Sequence, residues 1–229
     1  MKVAFAGAEA DDLGLADVLE GRDGSIVPIS DADVVVAVGE SALLTLAREG
    51  VDVPVLPVAA GQGRHVVAKP DAADALGSVL DGEARRVTHS RLQVVVDGGR
   101  VATALYDVAL VTTDPARISE YVVDEAGETL ASVRSDGIVV ATPAGSAGYA
   151  KAADGPVLSP GTGLSVVPVA PFTTHPEAWV VDGEVSITVA REDDVSLIAD
   201  ETVVRKVGSG EPVTIRRGEP VVLLRLPRQ

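Results

Sequence analysis

The chain predicts two parts in succession: an α/β N-terminal domain built on a parallel sheet over residues 1–84, and an all-β sandwich domain over residues 85–229. Three observations predict this. Residues 33–38 form an almost unbroken Val/Ala run, the pattern of a strand buried on both faces. Up to residue 80, apolar strand-like runs alternate with helix-spaced segments, which implies βαβ units. From residue 85 that alternation stops, and short β-rich runs follow one another between tight turns.

The elements follow in order. Val3 to Ala6 reads as a strand, and Asp11 to Glu20 as a helix with apolar positions at Leu13, Ala16, Val18 and Leu19. Ser25 to Ile29 and the 33–38 run are the next strands. A turn at Gly39-Glu40-Ser41 opens a helix through Arg48, with Gly50 at its C-terminal cap. Val53 to Val58 is a strand and Asp71 to Leu80 a helix. In the second part, Leu92 to Val96 and Arg100 to Val111 flank Asp97-Gly98-Gly99, a hairpin signal. Ile118 to Val123 and Thr129 to Val133 form a second hairpin. Strands are expected at 138–141, 165–169, 178–181, 185–190, 195–198, 202–207, 213–215 and 221–226, with one helix at about Ser146 to Ala153.

Composition excludes several chemistries. The chain has no cysteine, so disulfide scaffolds, zinc–thiolate sites, iron–sulfur clusters and cysteine nucleophiles are out. His65, His89 and His175 lie far apart in sequence without metal-ligand spacing. The net charge of -15 disfavours nucleic acid and anionic membranes as partners. No run approaches the ~20 apolar residues that a membrane span needs, and no signal pattern opens the chain, so a cytoplasmic protein is expected. The acidic excess is spread along the chain and lysine numbers only 4, a surface suited to a salt-rich, haloarchaeal cytoplasm.

The stretch 136–149, Asp-Gly-Ile-Val-Val-Ala-Thr-Pro-Ala-Gly-Ser-Ala-Gly-Tyr, carries the most chemistry. An apolar strand runs into a sharp turn at Thr142-Pro143-Ala144-Gly145-Ser146 and then a helix start. Two readings stand. Amides and hydroxyls there grip an anion or a ribose hydroxyl, with Gly145 letting backbone approach the ligand; or this is a capped helix that crosses the sandwich.

That string, followed by Asp154-Gly155-Pro156 and then Val167-Pro168-Val169-Ala170-Pro171, resembles the signature of the ATP-dependent NAD kinases. The resemblance covers residues 30–229 and is strongest over 136–171. It implies a nucleotide-binding α/β domain followed by a β-sandwich, usually in a homo-oligomer. It implies transfer of the γ-phosphoryl group of ATP, or of polyphosphate, to the adenosine 2′-hydroxyl of NAD, with Mg accompanying the phosphates.

The family's Gly-Gly-Asp-Gly-Thr turn falls here on Val38-Gly39-Glu40-Ser41-Ala42. The resemblance assigns the catalytic carboxylate to Glu40, one methylene longer than Asp, and binding to Gly39 and Ser41. Glu40 at a helix N-terminus either accepts a ribose proton or caps the helix. The family's Leu-Asn-Glu segment reads Leu105-Tyr106-Asp107, so Asp107 keeps a ribose-binding carboxylate while Tyr106 packs as a strand aromatic. Thr142, Gly145, Ser146 and Tyr149 match the adenosine-binding turn. Ala144, Ala147, Ala150 and Ala152 stand where hydroxyls are usual, and Asp154 replaces a glycine. Lys69, Lys151 and Arg64 are candidates for neutralising phosphate, and Asp200-Glu201 reads as a hairpin turn. The function read from the residues is thus an NAD kinase. The alternative is a weakened paralogue that binds nucleotide as a regulatory module, and a lipid kinase ranks below both.

Overall fold

The computed structural model describes residues 1–8, 13–61, 65–114, 118–191 and 194–227. The chain divides into two compact units, residues 1–89 with 220–229, and residues 90–219.

The first unit holds β1 (Lys2–Ala6), α1 (Leu15–Glu20), β2 (Ser25–Ile26), β3 (Val34–Val38), α2 (Glu40–Glu49), β4 (Val55–Val58) and α3 (Ala72–Leu80). Its strands run parallel in the order β2-β1-β3-β4. Val36 and Val38 of β3 pack with Leu15 and Leu19 of α1 and Leu76 of α3. Val35 and Ala37, which point the other way by the strand's two-residue period, are equally buried. That two-sided burial is why the Val/Ala run needs no polar alternation. β2 stops at Ile26, short of the expected Ile29, and a 3-10 turn over Ile29–Asp31 follows. Pro28 lacks the N–H that a strand would use there. The expected helix from Asp11 has its first two residues outside the described ones, and its described part starts at Leu15.

The second unit is antiparallel throughout. After β5 (Arg85–Val96) come β6 (Gly99–Ala104), β7 (Asp107–Thr112), β8 (Ser119–Glu125), β9 (Glu128–Ser135), β10 (Gly137–Ala141), α4 (Tyr149–Ala152), β11 (Leu164–Val169), β12 (Trp179–Val181), β13 (Val185–Val189), β14 (Val195–Ala199), β15 (Thr202–Val207) and β16 (Pro212–Arg225). One sheet has the order β12-β11-β10-β7-β14-β15. The other contains β13, β8 and β9 with the start of β16, and the β5–β6 hairpin. Leu110, Ile138, Val140 and Val166 of the first sheet share one core with Leu92, Tyr121, Val123 and Ile187 of the second, which makes the unit a sandwich. The β5–β6 turn has positive φ at both Asp97 and Gly98, the geometry that the Asp-Gly pair signalled.

Three expectations are corrected. The run from Arg100 to Val111 is two strands, β6 and β7, on different sheets. The segments 213–215 and 221–226 are one strand, β16, which changes neighbours along its length: residues 212–215 pair with β13 and Leu223 pairs with β4. The helix expected from Ser146 to Ala153 is a single turn, α4, preceded by turns over 143–148. Pro143 cannot donate, Gly145 and Gly148 disfavour helix, and the hydroxyls of Thr142 and Ser146 bond to backbone instead. Among the described residues, no helix is long and apolar enough to cross a membrane.

Candidate functional site

In the first unit, β2 lies on one side of β1 and β3 on the other, so the sheet order reverses between β1 and β3. In open parallel sheets, ligands bind beyond the carboxyl ends of the strands at such a switch point. Here that place is a groove of about 590 Å³, whose lining includes Gly7, Gly39, Glu40, Ser41, Thr45 and Lys69. The strand–turn–helix of β3 and α2 positions three of the sequence-predicted residues. Gly39, at φ +92, ends β3 and donates its N–H to the Val58 carbonyl at 2.9 Å. Glu40 begins α2 half-buried, and Ser41 beside it is exposed. The α2 N-terminus favours an anion, and Glu40 already places one there. Glu40 also rests against the loop after β4: a Cβ at Gly61 would lie 2.3–2.6 Å from its carboxylate atoms.

Lys69 lines the same groove, although it sits 29 positions beyond Glu40 (69 minus 40) and no local signal linked the two. Arg64 lies outside the described residues. His65 and His89, expected to lie apart, have ring centroids 5.4 Å apart. Sequence distance hid that pairing because β4's following loop folds back onto β5. Among the described residues, no three His, Asp or Glu side chains converge as metal ligands.

In the second unit, the Thr-Pro turn is assembled around buried hydroxyls. The Thr142 hydroxyl donates to the Leu105 carbonyl at 2.7 Å and accepts from the Gly145 N–H at 3.2 Å. The Ser146 hydroxyl donates to the Pro143 carbonyl at 3.1 Å and accepts from the Leu158 N–H at 2.9 Å. Gly145 sits against backbone: a Cβ there would stand 2.3 Å from the Tyr106 carbonyl oxygen. The amides of Gly145 and Gly148 donate within the turn itself, so the expected helix-start amides are already engaged. Thr142, Gly145 and Ser146 therefore hold the segment 105–107 in place.

That segment has a second brace which the sequence showed only as a turn. The Asp200 carboxylate accepts from the amides of Leu105 at 3.0 Å, Tyr106 at 2.7 Å and Asp107 at 3.3 Å. Three successive N–H groups closing on one carboxylate form a nest. This is why β6 and β7 separate at Leu105-Tyr106: the amides there serve Asp200 rather than a ladder. An Asp at a positive-φ hairpin position was the available signal.

Asp107 is nearly buried at the start of β7. Tyr149 is 41% exposed and is raised above the ordinary phenol range, by burial first and then by the carboxylates of Asp107 and Asp136. The structure thus brings Tyr149 and Asp107 into electrostatic range. Tyr149 also lines a cavity of about 470 Å³ with Asp154, Pro168, Pro171 and Glu177.

Replacing Thr142 by valine is expected to lower stability by about 1–3 kcal/mol, because it strands the Leu105 carbonyl and the Gly145 N–H in a dry site. Thermal unfolding should show a fall of about 2–12 °C for a chain of this size, with Thr142→Ser nearly unaffected.

A parallel sheet with a carboxylate at its switch point, joined in one chain to an antiparallel sandwich, is the plan of a two-part kinase of dinucleotides. The NAD kinase of Archaeoglobus fulgidus, solved in complex with ATP, has this fold: the two superpose with a TM-score of 0.74 at 21% identity, over 97% of this chain and 93% of that one. Residues 105–224 match the ATP-NAD kinase C-terminal domain. The NAD kinase of Serratia proteamaculans is 32% identical over 222 residues, 92% of this chain and 76% of the relative. That of Methanosarcina acetivorans is 33% identical over 185 residues, 78% of this chain and 67% of the relative. The chain belongs to the NAD kinase family.

Proposed function

We propose that the protein is an NAD kinase that transfers the γ-phosphoryl group of ATP, or a phosphoryl group of polyphosphate, to the adenosine 2′-hydroxyl of NAD, giving NADP. The observation that carries this is the Glu40 carboxylate at the switch-point groove, with Lys69 on the same lining. Glu40 accepts the proton of the 2′-hydroxyl; the oxygen bonds to the γ-phosphorus as the bond to the β–γ bridging oxygen breaks, and ADP leaves with that electron pair. Gly39 and Ser41, at the start of α2, offer backbone and hydroxyl to phosphate, and the Lys69 ammonium offsets its charge. Magnesium enters as part of the nucleotide substrate, held through phosphates and water, since no triad of protein ligands converges among the described residues. The second unit supplies groups for the nucleoside: Asp107 accepts from ribose hydroxyls and Tyr149 packs on adenosine, on a frame set by Thr142, Gly145 and Ser146. The same reading carries a cytoplasmic homo-oligomer whose acidic surface works in high salt.

The test is NADP formation by the purified chain with ATP or polyphosphate, Mg and NAD, in molar KCl. Steady NADP production is expected. Folded protein that binds NAD and ATP by calorimetry yet makes no NADP with either donor would move the assignment to the second reading, a nucleotide-binding regulatory module. Ser41, where the family's turn has glycine, is the feature that favours that reading.

A further inference from the structure

We infer that Gly61 is a positioning residue for Glu40: the missing side chain at 61 is the space that lets a glutamate, rather than a shorter carboxylate, stand at the head of α2. This rests on the reading of Glu40 as the proton acceptor.

The geometry lies within the first unit. A Cβ built on Gly61 would stand 2.3 Å from Glu40 Oε2, 2.4 Å from Cδ and 2.6 Å from Oε1. All three atoms of the carboxylate therefore lie flat over the Gly61 Cα. Those separations are closer than nonbonded carbon and oxygen tolerate. The group that would meet the added methyl is the carboxylate itself, so the carboxylate has to move. The loop cannot simply yield. Ala59 stands at φ +50 and donates its N–H to the Val67 carbonyl at 2.8 Å, while the Val67 N–H donates to the Pro57 carbonyl at 2.8 Å. Gly61 thus hangs on a loop pinned at both of its roots, and Glu40 starts from a helix whose Leu43 and Leu44 are buried. Two fixed backbones leave the Glu40 side chain as the free variable. A carboxylate shorter by one methylene would withdraw from Gly61 and tolerate a methyl there.

Gly61 also has φ +69, so any side chain there strains the backbone whatever Glu40 does. Gly82 separates the two effects: it lies in the same unit at φ +76 with nothing within 4 Å of a built Cβ. Gly82→Ala carries the strain without the clash.

The experiment is a double-mutant cycle on the full chain: wild type, Gly61→Ala, Glu40→Asp and the double variant, with Gly82→Ala as the strain control. The melting temperature and the kcat and KM of NADP formation are read for each. Gly61→Ala is expected to lower kcat by about a hundredfold, the scale of an ångström-sized misplacement, with KM for ATP changed far less. In the Glu40→Asp background, the same methyl should change kcat by less than about threefold, because backbone strain is common to both arms and cancels. Gly82→Ala should lower the melting temperature and leave kcat unchanged. Equal kcat losses from the methyl in both backgrounds overturn the inference. So does coupling in melting temperature without coupling in kcat, which would make the contact merely structural. If Gly61→Ala does not fold, recovery of folding in the double variant supports the contact and continued unfolding overturns it. If the wild type makes no NADP, the functional reading fails separately, and the melting-temperature cycle alone decides whether Glu40 rests on Gly61.

Discussion

Glu40→Gln is expected to slow NADP formation by about two to four orders of magnitude, with ATP and NAD affinities changed little. The amide keeps the shape and reach of the carboxylate, so its place against Gly61 survives. What it loses is the capacity to take a proton from the 2′-hydroxyl. Each factor of ten is about 1.4 kcal/mol of barrier, so the loss amounts to roughly 3–5 kcal/mol in the transition state. The same change removes a negative charge from the start of α2, which costs only about 0.3–1 kcal/mol of stability. The two magnitudes separate the roles. A variant that melts within a few degrees of wild type but has lost more than about a hundredfold in kcat establishes Glu40 as the base. One that keeps its rate and loses only a little stability shows that Glu40 merely neutralises the helix end. Steady-state kinetics and thermal unfolding on one preparation decide between them.

Asp200→Ala is expected to be the costliest single change outside the core. It removes the acceptor from the amides of Leu105, Tyr106 and Asp107 together. Stranding a partly buried N–H costs about 1–3 kcal/mol, and three sharing one acceptor do not sum fully, so a loss of about 3–5 kcal/mol follows. For a chain of this length that is a fall of about 6–20 °C in melting temperature. Asp200 stands at φ +51, which alanine accepts poorly. Asn tolerates that backbone and retains one acceptor oxygen, so Asp200→Asn should recover a large part of the loss. If alanine at this position melts with the wild type, Asp200 is only a hairpin residue and the nest contributes nothing.

The parallel sheet was legible because a strand buried on both faces must be apolar at every position, as residues 34–38 are. The Asp97-Gly98 hairpin was legible because few residue pairs accept two positive φ values in succession. Both signals are local. The features that escaped are set by residues distant in sequence. The break between β6 and β7 depends on a carboxylate 95 positions away from Leu105. The continuity of β16 through Gly218 and Pro220 depends on which strands flank it, and no short window contains that information. In the candidate site, the Gly39-Glu40-Ser41 turn could be read from a strand running into a helix, and the Thr-Pro turn from its composition. Lys69 in the groove and Gly61 under the carboxylate could not, because each owes its role to loop folding after β4. The hydroxyls of Thr142 and Ser146 marked an important turn, but which way they face is a packing outcome, and both face inward.

The return of β16 to β4 has a consequence for how the protein is made. Leu223 completes the edge of the first unit's sheet and Leu224 belongs to its core, yet both lie in the last ten residues of the chain. Translation ordinarily lets an N-terminal domain close while the rest is still being synthesised. Here the ribosome must release nearly the whole polypeptide before the first-made part can finish folding, so the sandwich is the piece able to mature first.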